Sequence, residues 1–201
     1  DTIESRVQSV LAKIRSAAEK AGRPASSVRL VAATKTVPVQ KIAEGVQAGL
    51  AILGENRVQE ALSKIPAFKP GSVQWHFIGQ LQRRKVRSVI GVFDLIHSVD
   101  SLELAQEIDR RAGDAGHRQD VLLEVNIGNE PTKAGFRPDD VREVVSEIAH
   151  LSHIRIKGLM AIPPPTSDPA SARPYFRKLA ELAKMIDAQQ LPSVKMDELS
   201  M

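Results

Sequence analysis

Short apolar, β-branched runs alternate with amphipathic helical patterns along the whole of this 201-residue chain, and that alternation admits few folds. Strand-like runs fall at residues 28–34, 52–56, 75–79, 93–99, 121–127, 154–162 and 194–201, with helical spacing between them. Parallel strands joined by helical crossovers form either a closed barrel or an open doubly wound sheet. No G-x-G-x-x-G or G-x-x-x-x-G-K-[ST] loop follows the first strand, so the usual phosphate-loop signatures of open sheets are missing. Lys35, Asn56, Gly79, Ser98, Asn126 and Met160 instead stand at the carboxyl ends of successive strands, where barrels place their chemistry. An open sheet would gather such residues at one switch point. The reading is therefore an α/β fold of (β/α)8 TIM-barrel type. At roughly 30 residues per unit the sequence holds about seven units. The last β/α unit is expected to be missing from residues 1–201, which form a single barrel domain, and the natural chain is expected to continue beyond Met201.

The stretch VRLVAATKTVP, residues 28–38, bears most directly on function. Its nearly continuous apolar run predicts a strand buried on both faces. Lys35 ends that run, with its stem expected near the core and its amine at the mouth of the sheet. Such an amine serves as a nucleophile or a Schiff-base partner, or it snorkels beside a carboxylate. Asn56 is placed to cap the helix after the second strand, and Asp100 with Glu103 to form a capping box. Lys133, in the loop after the strand that reaches Asn126, is a candidate second lysine. Tyr175, the only tyrosine, lies in a helical pattern and is read as packing.

Composition narrows the classes further. With no cysteine, disulfides, thiolate metal sites and a cysteine nucleophile are excluded. The five histidines lack metal-ligand spacing, so no metal is expected. A net charge of +4 with 3% aromatic residues gives no stacking platform for nucleic acid. Arg83, Arg84, Lys85 and Arg87 form a basic run, read as a solvated helix face or as an anion or partner patch. No apolar run is long enough to span a membrane and no signal-like segment opens the sequence, so a cytoplasmic protein is the simplest reading.

The strings AATKTVP (32–38), GENRVQEA (54–61), WHFIGQLQRRK (75–85), HSVDSLELA (97–105), LLEVNIGNEPTKAGF (122–136), GLMAIPP (158–164) and ELSM (198–201) closely resemble the pyridoxal-phosphate homeostasis protein family. These proteins are single-domain relatives of the alanine racemase N-terminal barrel. The resemblance implies pyridoxal 5′-phosphate as cofactor, held as a Schiff base on Lys35. It implies that Asn56 and the 76–79 stretch, with His76 and Gly79, line the cofactor pocket, and that Lys133 is a second lysine near it. Met160 joins the cofactor-binding set, and Ser200 and Met201 begin a phosphate-binding block that the sequence does not complete. Arg57 and Arg84 stand where the family often has Tyr and Asn.

No catalytic residue is assigned. A racemase needs acid/base groups on both faces of its substrate; alanine racemase takes one from an extra domain for which no residues remain here. The resemblance thus implies a monomeric carrier of pyridoxal phosphate, not a robust catalyst, with cofactor-dependent apo-enzymes as its recipients. The alternatives are a weak pyridoxal-phosphate-dependent racemase or lyase, or an adaptor using the 83–87 basic run.

Overall fold

Seven strands alternate with helical segments in the computed structural model, which describes residues 2–201. The chain divides into two compact units, Asp1–His76 and Phe77–Met201. Strands follow chain order within each, and no helix among the described residues is long and apolar enough to cross a membrane.

In the first unit, Thr2 caps α1 (Ile3–Lys20), its hydroxyl oxygen accepting from the Ser5 N–H at 3.1 Å. Val7 and Ala18 are buried on the inner face of α1, and the Gln8 side-chain amide donates to the Ala48 carbonyl at 2.9 Å, just beyond α2 (Val39–Gln47). Strand β1 (Val31–Ala33) pairs in parallel with β2 (Ile52–Glu55), Val31 opposite Ile52 and Ala33 opposite Gly54. Helix α3 (Val58–Lys64) follows, and β3 (Gln74–Phe77) carries the chain to the division at residue 76. Strand β2 is buried throughout, whereas β1 is half-buried at Val31 and Ala32 and exposed at Ala33. The expectation that β1 is buried on both faces is thus corrected: β1 ends the strand order and bonds to β2 alone.

In the second unit, β4 (Leu95–Val99), β5 (Gln119–Glu124), β6 (Ile154–Met160) and β7 (Val194–Ser200) are all parallel to their neighbours. Helices α4 (Leu102–Asp114), α5 (Val141–Ile148) and α6 (Arg173–Asp187) make the crossovers. Each buries an apolar stripe at helical spacing, as with Leu104, Ala105, Ile108 and Ala112 of α4. This sheet is strongly curled. Strands lie about 4.8 Å apart, so a flat sheet would put β4 and β7 about 14 Å from each other; yet His97 Nδ1 on β4 lies 2.9 Å from Ser200 Oγ on β7.

Local differences from the sequence reading have simple causes. The N-cap of α3 is Arg57, not Asn56, and it makes no side-chain cap bond. Ser101 replaces the expected Asp100 box on α4, accepting from the Leu104 N–H at 3.3 Å. The basic run forms a short 3-10 helix, Arg83–Ser88, with a single buried residue, Val86, which is too narrow an apolar face for a longer helix.

Candidate functional site

Lys35 lies on the turn that leaves β1, and both of its neighbours are held by side chains from outside that turn. Buried Thr34 bonds through its N–H to the Gly54 carbonyl at 2.9 Å and donates its hydroxyl to Glu55 Oε1 at 2.6 Å. Thr36 has a φ of +61°, a left-handed conformation that strains a β-branched residue by about 1–3 kcal/mol. Its N–H donates to Glu60 Oε1 at 2.5 Å and its hydroxyl to the Lys35 carbonyl at 2.7 Å.

Behind this turn lies Lys64, at the end of α3 and only 6% exposed. Its ammonium donates to the Thr34 carbonyl at 2.7 Å, to Glu55 Oε1 at 2.8 Å and to Glu60 Oε1 at 2.6 Å. Burial disfavours this ammonium, but the Glu55 and Glu60 carboxylates outweigh it and hold the Lys64 pKa above the ordinary lysine value. The Glu60 carboxyl is pulled below its usual range by Lys64 and then by the Thr36 N–H. Glu55 is fully buried, and its second oxygen has no hydrogen-bond partner among the described residues.

Lys35 itself is exposed, and its amine makes no hydrogen bond or ion pair among the described residues. The expected packing of its stem near the core is corrected, because the half-buried β1 edge leads into an exposed turn. Asn56, one residue past β2, keeps a buried side-chain oxygen without a partner, and His76 is buried within β3. Lys64, Glu55 and Glu60 were not singled out by sequence reasoning. Two signals pointed to them: a carboxylate inside an otherwise apolar strand needs a buried cation, and Glu60 with Lys64 has favourable i,i+4 spacing.

In the second unit, Gly79 is buried and its carbonyl accepts the Ser98 hydroxyl at 2.5 Å. Ser200, ending β7, is held by buried His97 and supplies its carbonyl to the Ala161 N–H at 3.0 Å. Met201 is exposed. Met160 packs with Leu95 and Leu122 in an apolar cluster. Glu124, opposite Met160 in register, is half-buried, and burial followed by the charge of Asp100 raises its pKa above the ordinary glutamate value.

The loop after β5 is organised by Asn126. Its amide donates to the Glu130 carbonyl at 2.7 Å and its side-chain oxygen accepts from the Glu130 N–H at 3.0 Å. Gly135, at φ +108°, lets this loop return against β5; a Cβ there would lie 2.8 Å from the Asn126 nitrogen. Lys133 is tethered, unlike Lys35, with its ammonium 2.7 Å from Glu130 and bonded to the Ile162 and Pro163 carbonyls at 3.3 Å.

An exposed primary amine on a pinned turn is suited to condensing with a carbonyl, and a serine hydroxyl beside a histidine Nδ1 can donate to an anion when that nitrogen carries its proton. Residues 6–201 match the family described as alanine racemase, N-terminal domain. The chain is 44% identical over 196 residues to the pyridoxal phosphate homeostasis protein of Aquifex aeolicus, covering 98% of this chain and 85% of that protein. A crystal structure of an unknown protein from Bifidobacterium adolescentis superimposes with a TM-score of 0.93 at 37% identity, covering 99% of this chain and 85% of that one. The structure of PipY from Synechococcus elongatus with PLP bound gives 0.79 at 36% identity, covering 95% and 88%. The seven-stranded parallel α/β architecture is that of the alanine racemase N-terminal barrel, and the chain belongs to the pyridoxal phosphate homeostasis proteins within that family.

Proposed function

We propose that this protein binds pyridoxal 5′-phosphate covalently on Lys35 and serves intracellular homeostasis of that cofactor, without robust catalysis of its own. The observation that supports the reading is the Lys35 amine, exposed and without a partner among the described residues, on a turn whose two flanking peptides are both tied down. When bound, the cofactor supplies an aldehyde that condenses reversibly with a primary amine, forming a C=N bond and releasing water.

Residues within each of the two units carry chemistry suited to such a group. Asn56 offers a buried acceptor with its hydrogen-bonding capacity unspent. Ser200 can receive the His97 Nδ1–H and thereby turn its own hydroxyl hydrogen toward a phosphate oxygen. His76 and Gly79 contribute walls, Lys133 the second amine, and Met160 and Met201 apolar contact. Residues 1–201 act as one cofactor-binding domain in a monomeric, cytoplasmic protein whose recipients are cofactor-dependent apo-enzymes.

Borohydride reduction after addition of pyridoxal phosphate, followed by peptide mapping, tests this. The label should fall on the Lys35 peptide and be lost in Lys35→Ala; label on another lysine, or none, overturns the assignment.

The alternative of a weak racemase or lyase would draw its acid/base group from Glu124, half-buried at the carboxyl end of β5. That reading expects exchange of an amino acid's α-proton for deuterium, lost in Glu124→Gln. Absence of exchange in the loaded wild-type protein removes it.

A further inference from the structure

We propose that Lys64 is a positioning residue for Lys35: one buried ammonium holds the peptide groups on both sides of that lysine, directly at the Thr34 carbonyl and through Glu60 at the Thr36 N–H. The inference rests on the reading of Lys35 as the cofactor-bearing amine, and it concerns how that amine is presented.

A lysine ammonium has three donors and no acceptor. All three of Lys64 are committed, to Thr34, Glu55 and Glu60. Lys64 is therefore fixed in its charged form and is no competitor for an aldehyde. Its role is mechanical. Thr36 sits in a left-handed conformation that a β-branched residue holds only when its surroundings over-determine it. The Glu60 carboxylate supplies that constraint, and Lys64 fixes Glu60. Released from it, the Thr36 backbone would relax to negative φ, and rotation about the adjoining peptide would swing Lys35 away from its present direction. Glu55 completes the frame by anchoring Lys64 and the Thr34 hydroxyl to the end of β2. The two lysines thus divide the work: one is charged, buried and saturated, the other exposed and free to react.

The test uses the full chain and pyridoxal phosphate as the probe. Capture is followed by absorbance and assigned by borohydride trapping, with amide hydrogen exchange at Thr36 as a second readout. Glu60→Ala leaves the buried Lys64–Glu55 pair in place; Lys64→Met combined with Glu55→Gln removes the ammonium without stranding a buried charge. In both variants the Thr36 amide should lose protection and the rate of capture at Lys35 should fall by at least about tenfold. Adding Thr36→Gly to Glu60→Ala should recover most of that loss, since glycine adopts positive φ without strain; a purely structural role gives no such recovery. Wild-type label at Lys35 with unchanged capture in both variants overturns the positioning role alone. Wild-type label elsewhere overturns the reading of Lys35 instead.

Discussion

At the scale of single residues, Glu124 gives the clearest dependence on pH. Burial and Asp100 raise its pKa in the folded state, so the folded chain binds more protons than the unfolded one across that window. Its contribution to stability is therefore complete on the acid side and is lost as pH rises through the folded pKa. Glu124→Gln should melt at a higher temperature than wild type at neutral pH, and the two should converge below about pH 4, near the ordinary glutamate pKa. A difference that stays constant with pH would exclude this cause. Lys64 behaves oppositely to mutation. Lys64→Met alone strands the buried Glu55 carboxylate and should cost about 3–5 kcal/mol, read as a fall in urea midpoint. Lys35 was legible in the sequence because it ends an apolar run at a strand's carboxyl end. Lys64 was only partly legible: its i,i+4 spacing from Glu60 lies in the sequence, but its bonds to Glu55 and to the Thr34 carbonyl join segments that only folding brings together.

At the scale of elements, β6 and β7 approach so closely at Gly158 that no side chain fits. Its φ is +154°, and an added Cβ would lie 1.8 Å from the Glu198 carbonyl oxygen. Gly158→Ala must shift β7 or break its register, and should destabilise the chain by about 3 kcal/mol in chemical denaturation. An unchanged midpoint would mean that the two strands separate freely. Ser101→Ala removes the cap of α4 and should cost about 1 kcal/mol by the same measurement. Strand and helix types were legible because hydrophobic period differs between them. Their ends were less so: Asn56, Asp100 and Ser101 are all competent caps, and the choice depends on where the chain leaves the sheet.

At the scale of the whole molecule, the succession of seven parallel strands was legible because short runs of strand character alternate with crossovers of helical period. What periodicity could not supply is curvature, the property that brings His97 and Ser200 together from strands three places apart. A ligand that binds only the folded chain stabilises it by about 2.7 kcal/mol at a hundredfold excess over its Kd. Pyridoxal phosphate should accordingly raise the melting temperature of the wild-type chain by several degrees, and by less in Lys35→Ala. Equal shifts in the two would mean that the covalent link adds nothing to retention.

The buried Lys64–Glu55 pair also restricts how this lineage can change. Losing Lys64 alone leaves the Glu55 carboxylate uncompensated at an interior position, whereas losing Glu55 alone leaves Lys64 still paired with Glu60. Substitution at 64 should therefore be accompanied by substitution at 55 among descendants that still fold, leaving a one-sided correlation between those columns in any sufficiently deep set of related sequences.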